Sequence, residues 1–209
     1  MCQCPDKAHH GSKRANLLVL VGLPGSGKTT VGRQLARRLR IPFVDSDHVI
    51  EQRLGCSIRT YFEHEGEDAF RDIESQVLDE LSAHFRGVLS TGGGSVLRPI
   101  NRERLHARGT VFYLRAAPEE VFRRLRHDRN RPLLQVEDPM KKLRDLFEVR
   151  DPLYREAAHY VIESARPSVS GLVNMIISQL ELAGTLDAAR QIGANAGASA
   201  TPASDSLHG

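Results

Sequence analysis

The sequence predicts an α/β fold, a three-layer sandwich in which helices cover both faces of a mostly parallel sheet. Two observations carry this. Short apolar or β-branched runs alternate with helical stretches from about residue 16 to residue 184. The first such run, Leu17–Val21, also leads directly into Gly22-Leu23-Pro24-Gly25-Ser26-Gly27-Lys28-Thr29. That segment has the G-x-x-x-x-G-K-T spacing of a P-loop, which belongs between a strand and a helix.

The elements follow in order. Leu17–Val21 is apolar throughout, as expected of a strand buried on both faces. The glycines behind it let the backbone wrap an anion with its N–H groups inward. Gly25, Ser26, Gly27, Lys28, Thr29 and Thr30 are the expected nucleotide contacts. Lys28 can reach the β- and γ-phosphates, and Thr29 can place its hydroxyl on Mg²⁺. A helix over Thr29–Leu39 offers its positive dipole end to the same phosphates. The chain is therefore expected to bind a nucleoside triphosphate. A second strand, Ile41–Val44, ends in Asp45-Ser46-Asp47. Two carboxylates at a strand end can divide labour, with Asp45 holding Mg²⁺ and Asp47 facing a second substrate. A plain helix N-cap is the competing reading.

Helices are expected over Asp47–Leu54, Ser57–His64 and Glu67–Ala83. The last puts Arg71 and Glu74 three residues apart on one face, where they can pair; spacing alone favours an ordinary surface pair. Gly87–Ser90 is the third strand, followed by Thr91-Gly92-Gly93-Gly94. Three glycines there let another molecule approach the backbone closely. They also stand where many P-loop proteins carry an acid, which leaves Asp45 as the candidate carboxylate for Mg²⁺. Arg102–Arg108 is helical and Thr110–Leu114 is the fourth strand. Pro118 and two glutamates open a helix over Pro118–His127. Arg123, Arg124 and Arg126 suit the negative end of that helix. Arg129 and Arg131 lie beyond it, in a polar loop suited to a lid over transferring phosphate. Helices over Pro139–Ala158 and Val169–Leu182 flank the last strand, Tyr160–Ile162. Arg150 precedes Asp151-Pro152-Leu153-Tyr154 in the first of these.

Bulk properties narrow the class. The 209 residues allow one domain with a sizeable core, and 40% apolar with 26% charged residues is the balance of a soluble globular protein. A formal charge of +3 is too small to point to nucleic acid, and the arginine run lacks interleaved aromatics. No apolar run could span a membrane, and the N-terminal region has no secretory h-region, so a cytoplasmic enzyme is expected. Cys2, Cys4 and Cys56 form neither a disulfide framework nor a zinc pattern. Residues 1–15 and 185–209 are poor in large apolar groups and are expected to be disordered.

Taken in order, G-L-P-G-S-G-K-T, D-S-D, F-R-D-I-E, S-T-G-G-G, R-N-R-P-L-L and R-D-P-L-Y resemble the shikimate kinase family, from about Asn16 to Leu182. The P-loop is shared widely; the combination of D-S-D, F-R-x-x-E and G-G-G is far more specific. The resemblance implies a nucleoside-monophosphate-kinase-like fold with five parallel strands in the order 2-3-1-4-5. It implies transfer of the ATP γ-phosphoryl group to the 3-hydroxyl of shikimate, in aromatic amino-acid biosynthesis. Asp47, Arg71, Gly93 and Arg150 correspond to shikimate contacts, Arg131 to a lid arginine in a lid over about 128–138, and Arg166 to a residue near the adenine. Lys28, Asp47 and Arg131 would carry catalysis, with ATP and Mg²⁺ required and a monomer expected. Gluconate kinase or another P-loop small-molecule kinase is the near alternative. A GTP-dependent switch is the distant one, and its N-K-x-D and D-x-x-G segments are missing.

Overall fold

A computed structural model describes residues 16–125, 137–164, 168–187 and 189–192. Five strands form one parallel sheet: β1 (Leu17–Val21), β2 (Phe43–Asp45), β3 (Gly87–Ser90), β4 (Thr110–Arg115) and β5 (Tyr160–Glu163). Their order is β2-β3-β1-β4-β5, as the resemblance implied. Central β1 pairs with β3 from Leu17↔Gly87 to Leu20↔Ser90, and with β4 from Leu18↔Thr110 to Val21↔Tyr113.

Strand periodicity splits the core in two. Leu17, Val19 and Val21 face one layer with Leu89, Val111 and Tyr113. That layer is roofed by helices α3 (Ile58–His84), α4 (Pro99–Arg108), α5 (Pro118–Leu125) and α6 (Pro139–Ala157). Leu18 and Leu20 face the other side with Val88, Phe112 and Leu114, covered by α1 (Lys28–Leu39) and α7 (Val169–Leu182). The short α2 (Ser46–Leu54) packs Ile50 against Phe70 and Val77 of α3.

Besides an α4 that opens at Pro99 rather than Arg102, the elements depart from the sequence reading in three main places. The second strand opens at Phe43 rather than Ile41, because the Ile41 N–H turns back to the Ala36 carbonyl (3.0 Å) and closes α1. The two helices expected over 57–83 run on as α3, with one break at Gly66 (φ 83°, ψ 177°). The third is a correction. Residues 185–192 were expected in a disordered tail, yet Leu186 and Ala189 are 7% and 0% exposed. Leu186 joins the core layer of α1 and α7, and Ile192 packs against it. A few apolar side chains spaced three apart along a short segment suffice to dock it although its average composition is poor. Among the described residues no helix is long and apolar enough to cross a membrane.

Candidate active site

In a parallel sheet every strand ends on the same edge, and the crevice beyond the carboxyl ends is where ligands bind. Here the ends of β1, β2 and β3 meet around a cavity of about 370 Å³. Its walls include Gly25, Gly27, Lys28, Thr29 and Thr30 of the P-loop, Asp45 and Asp47 after β2, and Gly93 after β3.

The P-loop is tightly supported. Gly27 caps α1 with φ 97°, a left-handed conformation that favours glycine. Lys28 is 8% exposed, and its Nζ donates to the carbonyls of Gly22 (2.8 Å) and Leu23 (2.9 Å). Leu125 presses on the loop so closely that a Cβ on Gly25 would lie 2.7 Å from its Cδ1. Arg124 donates to the carbonyls of Ser26 (3.2 Å) and Ser164. The helix dipole therefore does not account for Arg124, which ties the P-loop to the end of β5. Arg123 is a local partner of Glu120.

The cap reading of Asp45 holds, and the same carboxylate also meets the P-loop hydroxyl. Its Oδ1 accepts from the Asp47 N–H (3.1 Å) as the cap of α2, while Oδ2 accepts from the Thr29 hydroxyl (2.8 Å). A hydroxyl and a carboxylate thus meet on the cavity wall, two hard oxygen donors beside the phosphate cradle. Among the described residues no group of three or more His, Cys, Asp or Glu forms a metal site. Such a sparse set suits Mg²⁺, which keeps waters and substrate phosphates as its remaining ligands.

Asp47 lies deeper. Among the described residues no hydrogen bond reaches its carboxyl oxygens. Burial, with the Asp45 charge beside it, pushes its carboxyl up to about 6 although Lys28 pulls the other way. A Cβ on Gly92 would fall 2.5 Å from Asp47 Oδ1 and 3.2 Å from Glu74 Oε1. A Cβ on Gly93 would meet Pro24 Cδ at 2.5 Å, and one on Gly94 the Arg71 Nη1 at 2.3 Å. Each glycine of the triplet therefore admits a different part of the site: Asp47, the P-loop and Arg71. The triplet is held in place by Ser46 Oγ, which accepts from the Gly92 N–H (3.1 Å). The Gly92 carbonyl accepts from the Ser95 N–H (3.2 Å). Across that trans peptide the Gly93 N–H points the other way.

Arg71 is not the surface residue that spacing favoured. It is 9% exposed and Glu74 is 1% exposed. Nη1 donates to Glu74 Oε2 (2.8 Å), while Nη2 and Nε donate to Glu67 Oε1 (2.9 and 3.2 Å). Burial raises the Glu74 carboxyl despite Arg71. From α6, Arg150 Nη1 donates to the Gly93 carbonyl (3.0 Å), and the Tyr154 hydroxyl donates to the same oxygen (2.5 Å). Arg71 and Arg150 thus reach adjacent glycines, Gly94 and Gly93, beside the cavity holding Asp47 and Lys28.

The fold brings together Gly25, Ser26, Gly27, Lys28, Thr29, Thr30, Asp45, Asp47, Arg71, Gly93 and Arg150. Arg131 and Arg166 lie outside the described residues, as do most of the expected lid and residues 1–15. Sequence reasoning missed Arg124, Ser46 and Tyr154. Only Tyr154 left a signal, four residues after Arg150 and hence on the same helical face.

A family model described as Shikimate kinase matches residues 24–181. A shikimate kinase of Ralstonia nicotianae is 60% identical over 164 residues, covering 78% of this chain and 86% of that protein. One of Paracidovorax citrulli is 62% identical over 168 residues, covering 79% and 92%. The solved shikimate kinase from Acinetobacter baumannii in complex with shikimate superposes with a TM-score of 0.76 at 50% identity, covering 81% of this chain and 94% of that one. Neither the gluconate kinase reading nor the nucleotide switch is needed beside these. On the family match, the relatives and the parallel five-stranded fold together, the chain belongs to the shikimate kinase family.

Proposed function

We propose that the cleft transfers the γ-phosphoryl group of ATP to the 3-hydroxyl of shikimate by the following division of labour. The observation that carries the reading is that Asp47, Lys28 and Gly93 line one cavity while Arg71 and Arg150 reach the glycine triplet beside it. Phosphoryl transfer asks a protein mostly for positioning and charge neutralisation. The P-loop N–H groups and Lys28 receive the phosphates. Thr29 and Asp45 would hold Mg²⁺, which when bound supplies further neutralisation of the phosphate oxygens. Asp47 orients the attacking hydroxyl and takes its proton; a carboxylate pushed up to about 6 is a better base near neutrality than an ordinary aspartate. Arg71, aimed by Glu74, and Arg150 grip the substrate carboxylate, whose planar geometry guanidinium matches. The Gly93 N–H adds a backbone contact. Arg131 and Arg166, outside the described residues, keep the lid and adenine roles that the resemblance implies.

An ATP-consuming enzyme works where ATP is held, which supports a cytoplasmic location. Coupled ADP release tests the assignment: turnover with shikimate, and none with gluconate or nucleoside monophosphates, is expected. The metal assignment is tested by Thr29→Val and Asp45→Asn. Each should raise the Mg²⁺ concentration giving half-maximal rate; an unchanged Mg²⁺ titration in both would remove them as its holders.

A further inference from the structure

One carboxylate beside the site has a role that phosphoryl transfer itself does not explain. Asp151 directly follows Arg150 on α6, and its side chain is 16% exposed. Oδ1 accepts from the Tyr113 hydroxyl (2.9 Å) and Arg115 Nε (3.0 Å), both on β4, and Oδ2 accepts from Arg155 Nε (2.7 Å). Arg115 is itself braced by Glu163 on β5 (3.1 Å) and by the Phe147 ring. Burial alone would raise the Asp151 carboxyl, yet the bonds from Arg155, Tyr113 and Arg115 outweigh it and hold it below the usual range.

The geometry of α6 connects this cage to the substrate loop. Successive helical residues point about 100° apart, so Asp151 faces β4 while Arg150 faces the glycine triplet. Arg150 and Tyr154, four apart, share one face and one acceptor, the Gly93 carbonyl. The Tyr113 and Tyr154 rings also pack together, centroids 4.9 Å apart. Tyr113 therefore supports both ends of the arrangement, by its hydroxyl to Asp151 and by its ring to Tyr154. Pro152 lies inside this same turn. It has no N–H, so the helix lacks one of its own hydrogen bonds here. With one ladder bond fewer, side-chain contacts carry more of the turn's orientation.

We infer that Asp151 and Tyr113 are positioning residues for Arg150: the Tyr113–Asp151–Arg115 cage sets the rotation of α6 that holds Arg150 and Tyr154 on the Gly93 carbonyl. The inference rests on the proposed reading of Arg150 as an arm for the substrate carboxylate. Neither residue touches the reacting atoms. Their loss should therefore act on shikimate binding and leave ATP binding and the chemical step alone.

The experiment is steady-state kinetics of Tyr113→Phe, Asp151→Asn, the double variant and Arg150→Ala, with melting temperatures alongside. Tyr113→Phe removes one oxygen and keeps the packed ring, so it stays informative if Asp151→Asn folds poorly. Shikimate KM should rise about threefold in Tyr113→Phe and about tenfold in Asp151→Asn, the scale on which packed networks transmit a change. kcat and the ATP KM should stay within about twofold, and the double variant should fall short of the product because both changes strike one cage. If Tyr113→Phe and Asp151→Asn lower the melting temperature but keep the wild-type shikimate KM, while Arg150→Ala raises it, the cage serves only stability and the inference is wrong. If Arg150→Ala itself leaves the shikimate KM unchanged, the carboxylate arm is misassigned, and the positioning role falls with it.

Discussion

Asp47→Asn should make the protein more stable and much slower, and both effects can be sized. The carboxyl is pushed from 3.8 to about 6, first by burial and then by Asp45. A raised carboxyl means the folded state favours the neutral acid, so ionisation of Asp47 opposes folding. The penalty vanishes only well below pH 3.8, where the group is protonated folded or unfolded. It grows as pH rises towards 6 and is complete above. About two units at 1.36 kcal/mol each would give roughly 3 kcal/mol; partial solvent access to the cleft reduces this to about 1–2 kcal/mol. Asparagine keeps the shape without the charge and escapes the penalty. In a domain of this size 1 kcal/mol moves Tm by about 2–4 °C, so the variant should melt about 2–8 °C higher above pH 6. The gap should shrink to a small fraction of this by pH 4. Loss of the base should lower kcat by about 10²–10⁴ while ATP affinity holds. Thermal melts from pH 4 to 8 and coupled ADP release measure the two effects. A Tm gap that is absent or reversed above pH 6, or a kcat loss below threefold, would refute the reasoning.

Other perturbations separate parts of the site. Lys28→Ala should cut kcat by about 10²–10³, the scale of one lost charge-stabilising donor; wild-type turnover would remove Lys28 from the mechanism. Gly94→Ala would place a methyl against the Arg71 guanidinium and should raise shikimate KM by roughly tenfold, on the scale of overpacking. Gly93→Ala would press on Pro24 instead, so it should weaken ATP binding as well; identical kinetic profiles for the two variants would contradict this division. Leu186→Ala should cost about 2 kcal/mol, the low end for a buried leucine near the surface, and leave activity at 25 °C intact. An unchanged melting curve would mean that residue 186 adds nothing to the core.

The sequence by itself determined the strand pattern and the glycine-rich loop behind the first strand. Both are local: five short apolar runs and one eight-residue loop announce themselves through neighbours along the chain. Lys28 and Thr29 were placed by a strand, loop and helix that occupy consecutive residues, and Asp45 by the end of the next strand. Tertiary structure alone decided whatever depends on partners distant in sequence. Arg71 and Glu74 read as a surface pair until the glycine triplet, twenty residues on, closed over them. The triplet looked like room for a ligand, and much of that room is taken by Asp47, Pro24 and Arg71. Arg124 read as a helix-end charge until the fold set it on carbonyls 98 and 40 positions away. Leu186 was lost in a small-residue tail because composition averages over a segment, whereas burial is won by single side chains that meet a gap. Asp151 shows the same limit: nothing beside it in the chain reveals the tyrosine and arginine on β4 that it holds.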